Sequence, residues 1–453
     1  MTRARWWVLA ALGLLTVTIV TLDATGVIFD PAPVVAPPVP LLFADPLGVD
    51  PAVTPVDASS TTQLPPNVER AIERSLADKD LGPRVAATIV ASSGDVLYSQ
   101  GPARPSTPAS TLKLLTALSV LDVFPSTKRL ETSVVAGDQP DVLVLRGGGD
   151  ATLTVDPARG DDPASASLTE LARATSKALG ESPVRLRYDT SLFTGPSVSP
   201  SWEPTYVSSG VIAPVTALMA DQGLISDTGL SRYPNPAAAA AADFARLLEA
   251  EGVAVQGRPS ETTARPTPES IAAVQSPPMG LLVERMLRDS DNQLAEALGR
   301  LAAIERGLPG SFDGAVDAMG MAADARDLQI DTGELHDASG LSRDDLVPAA
   351  ALAGVLRNAV KDAALRPITT GLPVAGFDGT LIDRYLVPPQ HEAAGVIRAK
   401  TGTLTGVSAE SGMAVTCKGS LVLFAFVADR VPYDTDAARD ALDQAAAALT
   451  RCP

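Results

Sequence analysis

Ser110-Thr111-Leu112-Lys113, Ser290-Asp291-Asn292 and Lys400-Thr401-Gly402-Thr403 lie far apart in the 453-residue chain, yet together they hold the groups of a serine acyl-transfer enzyme that works without histidine. A serine hydroxyl is a poor nucleophile until a neighbouring base takes its proton. Lys113 is the base on offer, because residues i and i+3 share one face of a helix, here expected as an unbroken run over 110–121. Lysine accepts a proton near neutral pH only when burial and a second cation lower its pKa; Leu112, Leu114 and Leu115 supply apolar surroundings, and Lys400 is the expected cation. Alone, Ser-x-x-Lys usually describes a solvated helix pair, and it is the other two motifs that change its meaning.

Ser290 opens a second helical run, 290–301, and its hydroxyl is placed to pass a proton between Lys113 and a leaving group. A serine or aspartate before a helix also serves as an N-cap, so capping and chemistry overlap there. Asn292 carries both a donor and an acceptor, suited to a peptide bond. Lys400 to Thr403 follows the apolar Val396 and Ile397, which predicts an edge-accessible strand whose Gly402 admits a substrate backbone. Lys400, Thr401 and Thr403 are expected to bind a terminal carboxylate, and the backbone N–H groups of Ser110 and Thr403 to form an oxyanion hole.

Around these motifs, Asn67 reads as the cap of a first helix, and residues 84–91 and 96–99 form a hairpin over the turn Ser92-Ser93-Gly94-Asp95. Near the C-terminus, strands over 396–399, 408–417 and 421–428 precede a helix over 436–449. The expected fold class is α/β (α+β): an antiparallel five-stranded sheet with the first and last helices on one face and the Ser110 and Ser290 helices on the other. Residues 126–274 differ in character, rich in Ser, Thr, Pro and Gly with short β-like runs, and are read as a β-rich inserted domain or two. The expected division is therefore 67–125 with 275–453 as one domain around that insertion. One helix is expected inside the insertion, over 236–249.

The 53 acidic against 36 basic residues, a net charge of −17 spread along the chain, argue against a nucleic-acid partner. With only His336, His391, Cys417 and Cys452, and no zinc-ligand spacing, neither a metal nor an organic cofactor is expected. Arg3 and Arg5 precede an uncharged run of 17 residues from Trp6 to Leu22, so 1–30 is read as an export signal or membrane anchor. No Ala-x-Ala site follows, which favours the anchor. Ten prolines between Pro31 and Pro66 mark 31–66 as a linker. Export makes a Cys417–Cys452 disulfide possible, worth about 3 kcal/mol of chain entropy.

The three motifs resemble those of the penicillin-binding proteins and serine β-lactamases. Four further segments, Leu145-Arg-Gly-Gly-Gly-Asp150-Ala-Thr-Leu153, Asp189-Thr-Ser-Leu-Phe193 with Trp202, Ala213-Pro-Val-Thr-Ala-Leu218 and Asp337-Ala-Ser-Gly-Leu-Ser-Arg343, look like the low-molecular-mass class C D-alanyl-D-alanine carboxypeptidases and endopeptidases, over residues 67–453. The resemblance implies hydrolysis of D-Ala-D-Ala ends or crosslinks of peptidoglycan stem peptides in the cell envelope, through an acyl-enzyme on Ser110 that β-lactam antibiotics also form. Asp150 and Arg343 are candidates for binding the amino and carboxyl groups of a stem-peptide side chain. Ala338 stands where that family usually has glycine, and Ala151 where it usually has proline. A serine β-lactamase, which needs a deacylating base not evident here, and a catalytically idle peptidoglycan-binding protein are the rival readings.

Overall fold

Val85–Ala91 is a continuous run of small and β-branched residues, every one of them buried. A strand without a polar side belongs inside a sheet covered on both faces. The computed structural model describes residues 63–159, 165–180, 182–226, 229–265, 270–432 and 435–452; the expected signal or anchor and nearly all of the linker lie outside them. Along the chain, α1 (Pro66–Leu76), β1 (Val85–Ala91), β2 (Val96–Gln100), β3 (Pro105–Ser106) and α2 (Lys113–Val123) come first. Then follow β4 (Glu131–Ala136), β5 (Val142–Arg146), α3 (Leu168–Leu179), β6 (Arg185–Asp189), α4 (Pro236–Ala250), β7 (Ser260–Glu261) and β8 (Ser270–Gln275). The remainder is α5 (Met279–Arg288), α6 (Asn292–Glu305), α7 (Phe312–Asp324), β9 (Val347–Pro348), α8 (Ala349–Lys361), α9 (Arg366–Thr370), β10 (Ile397–Leu404), β11 (Val407–Val415), β12 (Leu421–Ala428) and α10 (Thr435–Ala448).

The principal sheet has the order β10-β11-β12-β1-β2 and is antiparallel throughout. The alternation of β12 shows how it is filled: Leu423, Ala425 and Val427 pack with α2, α5, α6 and α8, while Val422, Phe424, Phe426 and Ala428 pack with α1 and α10. Phe424 and Phe426 stack at 5.0 Å between ring centres. Each buried ring contributes about 1.5–3 kcal/mol, so a one-residue slip of β12 would exchange these faces and forfeit both. Order β10 first leaves the Lys400–Thr403 segment on an edge, as its sequence demands. The α1 helix starts at Pro66, its fixed φ suiting the first turn, and Pro65 takes the cap position expected of Asn67.

The second sheet, β7-β6-β5-β4-β8, is built from the short β-like runs of the inserted region. Strands β5, β6 and β7 run parallel, which requires crossovers, and α3 and α4 supply them and cover one face. The alanine-rich Pro236–Ala250 is one of those crossovers, capped by Asn235. Between β6 and α4, Trp202, Ile212 and Val215 leave this sheet and pack with Phe312 and Leu341 of the main body. Arg300 of α6 ties the same segment down: its buried guanidinium lies 4.3 Å from the Phe312 ring and donates to the carbonyls of Thr194, Pro196 and Gly310.

The expected Cys417–Cys452 disulfide is not formed. Both are free, exposed thiols, one just past β11 and one in the tail after α10. They nevertheless touch, and the hydrogen bond from one sulfur to the other pushes the Cys417 thiol pKa up.

Candidate active site

The helix expected to begin at Ser110 begins at Lys113. Ala109–Leu112 instead forms a tight 3-10 turn, entered through Ala109 at φ +47°, a conformation that costs a residue with a side chain about 1–3 kcal/mol. This bend leaves Ser110 partly exposed while Lys113, one turn on, is fully buried. Lys113 Nζ lies 3.0 Å from Ser110 Oγ, 2.7 Å from Asn292 Oδ1 and 2.6 Å from the Ser339 carbonyl. An ammonium would donate to all three. A neutral amine has two hydrogens, enough for Asn292 and Ser339, and keeps its lone pair for the Ser110 hydroxyl.

A comparable departure occurs at the second motif. Asp291, not Ser290, caps α6, its carboxylate accepting from the Leu294 N–H at 2.9 Å. Ser290 stands just outside the helix at φ +56° and its hydroxyl accepts from Lys400 Nζ at 3.0 Å. Capping and the Ser290 side chain are thus divided between neighbours, which frees the hydroxyl. Lys400 also donates to the Thr401 carbonyl at 2.7 Å.

Strand β10 presses directly on the Ser110 turn. A Cβ on Gly402 would sit 2.6 Å from the Pro108 carbonyl oxygen and 3.2 Å from the Ser110 nitrogen, so only glycine allows this approach. Farther up the same edge, the Ala399 N–H donates to the Pro373 carbonyl and the Ile397 carbonyl accepts from Ala375. Backbone groups alternate sides along a strand, so the N–H of Thr403 points to that outer edge as well, beside Ser110. Thr401 Oγ1 pairs with Thr380 Oγ1 at 2.8 Å. Two cavities open from Ser110 and Ser290: one of about 500 Å3 lined by Thr401, Thr403, Arg384 and Arg439, and one of about 640 Å3 lined by Tyr206, Val211, Asn292 and Leu341.

The two recognition candidates part ways. Arg343 is exposed, and a Cβ on Gly406, which lines the larger cavity, would lie 3.9 Å from its guanidinium. Asp150 is buried, on neither cavity wall; one carboxylate oxygen accepts from the N–H and hydroxyl of Thr152, and burial pushes its pKa up. In this structure Asp150 shapes its own turn.

A family model for D-Ala-D-Ala carboxypeptidase 3 (S13) matches residues 68–232 and 226–451. The chain belongs to that family. It is a serine-type carboxypeptidase of the S13 group, 37% identical over 439 residues to a carboxypeptidase DacB of Mycolicibacterium smegmatis, with 94% of this chain and 92% of that one covered. It is 34% identical to carboxypeptidase Rv3627c of Mycobacterium tuberculosis, over 86% of each. Penicillin-binding protein 4 of Haemophilus influenzae shares the fold, with a TM-score of 0.70 at 21% identity, covering 84% of this chain and 97% of that one.

Sequence reasoning missed what stands behind the lysine of this S13 carboxypeptidase. Asp337 accepts four hydrogen bonds, from the N–H groups of Ser339, Gly340 and Ser342 and from Trp202 Nε1, all between 2.6 and 2.9 Å. It thereby folds the 337–343 loop so that the Ser339 carbonyl meets Lys113. The helix side chain Glu296 accepts from the Ala338 N–H, and burial pushes its pKa up to about 8. Ala338, the departure from the family pattern, is harmless, since the loop's left-handed position is Gly340 at φ +76°. A buried aspartate within an Asp-x-Ser-Gly turn was the signal available.

The two lysines do not influence each other as expected. Burial alone moves Lys113 down to about 8, opposed by the negative charge of Asp337, Glu296 and Asp291. Lys400 is held well below the usual lysine range, through burial first, then repulsion from Lys113 and Arg384.

If Lys113 must be neutral to act, acylation by penicillin, followed as the second-order rate constant of the free enzyme, rises about tenfold per pH unit below 8 and levels off above. A rate flat from pH 6 to 9 would show that this amine is not the titrating base.

Proposed function

We propose that this enzyme removes the terminal D-alanine of peptidoglycan stem peptides through an ester on Ser110. The neutral Lys113 amine takes the Ser110 proton as Oγ attacks the carbonyl carbon of the penultimate D-alanine. The carbonyl oxygen, now an anion, receives the N–H groups of Ser110 and Thr403. Ser290 gives its hydroxyl proton to the departing amine and is reprotonated from the lysines; Lys400 lies against it, and Asn292 links Lys113 to the same rim. D-alanine leaves, and water then cleaves the ester with Lys113 again as base. The amide of Asn292 holds the substrate's peptide bond, and Thr401 and Thr403 face its carboxylate.

The observation that carries this reading is the fully buried Lys113 amine within hydrogen-bonding distance of the accessible Ser110 hydroxyl. The same chemistry makes the Ser110 oxygen open a β-lactam ring and hold the product as an ester. Arg343, exposed beside Gly406 of the larger cavity, is the residue we assign to the stem peptide's carboxylate. Peptide crosslinks are a second substrate, supported by the open cavities on both sides of Ser110.

Such substrates place the enzyme outside the cytoplasmic membrane, in the envelope, with 1–30 as signal or anchor. Among the described residues no helix is long and apolar enough to cross a membrane. The test is incubation of the full chain with uncrosslinked pentapeptide and crosslinked muropeptides, with products weighed by mass spectrometry. Loss of one alanine residue from the pentapeptide is expected, together with a penicilloyl adduct on the peptide containing Ser110; intact muropeptides and no adduct would defeat the reading.

A further inference from the structure

Within the Lys400–Thr403 segment of β10, carboxylate recognition has no permanent cation. Lys400 is committed to Ser290 and the Thr401 carbonyl, and burial with the charge of Lys113 keeps its amine well below the usual lysine range. Arg384 lines the 500 Å3 cavity but is held by two carboxylates, Glu410 and Asp443, both buried. That leaves Arg439 on α10. Its Nε lies 3.4 Å from Thr403 Oγ1, and it lines the cavity together with Ser110, Ser290, Thr401 and Thr403.

The rest of its guanidinium is available for exchange. Nη1 pairs with Asp436 at 2.7 Å, but the two side chains are 37% and 83% exposed, so water screens the pair and it contributes little. Nη2 makes no hydrogen bond within the described residues. Arginine offers a planar fork of donors that matches a carboxylate and never loses its charge near neutral pH. A carboxylate on Thr401 and Thr403 would meet that fork as the second wall.

We propose that Arg439 is a specificity-determining residue, selecting substrates whose leaving residue carries a free carboxylate next to the scissile bond. The assignment rests on the acyl-transfer reading of Ser110. Terminal D-alanine meets the requirement, and so does a crosslink whose departing residue keeps its α-carboxylate. Beyond Arg439 the cavity wall carries Asp383 and Arg384, a polar surface suited to a longer, polar departing side chain.

The experiment compares an acyl-D-Ala-D-Ala peptide with the same peptide ending in the carboxamide, using the full chain and the variants R439A and R439K. Wild type is expected to favour the acid, and R439A to lower the acid-to-amide ratio of kcat/KM by about 10- to 100-fold, the size of a hydrogen bond to a charged group. The loss falls mainly on KM for the acid, and R439K recovers part of the ratio. An equal fall on both peptides assigns Arg439 to α10 packing and overturns the proposal, as does an unchanged ratio with wild-type activity intact. Failure of the wild-type chain to release D-alanine from either peptide would sink the acyl-transfer reading and this inference with it.

Discussion

Lys113→Met leaves a folded protein whose acylation by penicillin is at least about 10,000-fold slower, the loss typical when one member of a nucleophile and base unit is removed. Methionine is unbranched and of similar length, and it removes the cost of burying an amine, so the sheet and helices persist. It forfeits the lone pair toward Ser110 and the two donors toward Asn292 Oδ1 and the Ser339 carbonyl. Lys113→Arg separates the possible roles of the lysine. Arginine keeps the positive charge but cannot be deprotonated; if Lys113 acts as a base, the arginine variant is as slow as the methionine one. Stopped-flow acylation of both variants, with circular dichroism as the control for folding, is the measurement. Retention of more than about 1% of the rate by the arginine variant would reassign Lys113 from base to electrostatic anchor.

Gly340→Ala damages stability and acylation together. The residue stands at φ +76°, and an added Cβ would fall 1.9 Å from the Ala109 carbonyl oxygen and 2.6 Å from its carbon. Both obstacles are backbone, and Ala109 is itself held at φ +47° to present Ser110, so neither side can yield locally. The 337–343 loop must then draw away, taking the Ser339 carbonyl from Lys113. The expected cost is about 3 kcal/mol or more in a denaturant titration, beyond the ordinary range for one methyl group. Acylation falls by about 100-fold, as for a displacement of about 1 Å near the reacting atoms. Gly419→Ala is the matched control. It also has a positive φ, +82°, but no atom lies within 4 Å of its added Cβ, so it costs only about 1 kcal/mol and leaves the rate alone. Equal effects of the two substitutions would remove the steric argument.

Much of the sheet was legible because its residues obey a local rule. The β12 boundaries were read to the residue, since Leu421–Ala428 is apolar on both faces and ends at a charged turn. Strand β10 was read as a strand over 396–399 running into an edge-accessible segment, Lys400 to Thr403, although Lys400-Thr401-Gly402-Thr403 has little strand propensity by itself. What makes it a strand is pairing with β11 in register, Thr401 opposite Glu410 and Thr403 opposite Ser408. The strands of the insertion were legible, but their parallel order was not, because strand direction leaves no local trace in a run such as Val142–Arg146.

The chain's residues alone determined the chemistry: two serines, two lysines and an asparagine in patterns whose combination has few other uses, on elements whose apolar periodicity dictates one layered fold. Tertiary structure alone decided that Ser290 meets Lys400, that the loop folded by Asp337 brings a carbonyl to Lys113, and that Arg439 reaches Thr403 from the last helix. Local patterns record what a residue does for its own helix or strand. Hydrogen bonds between groups tens to hundreds of residues apart depend on how those elements pack, and no window of sequence contains that information.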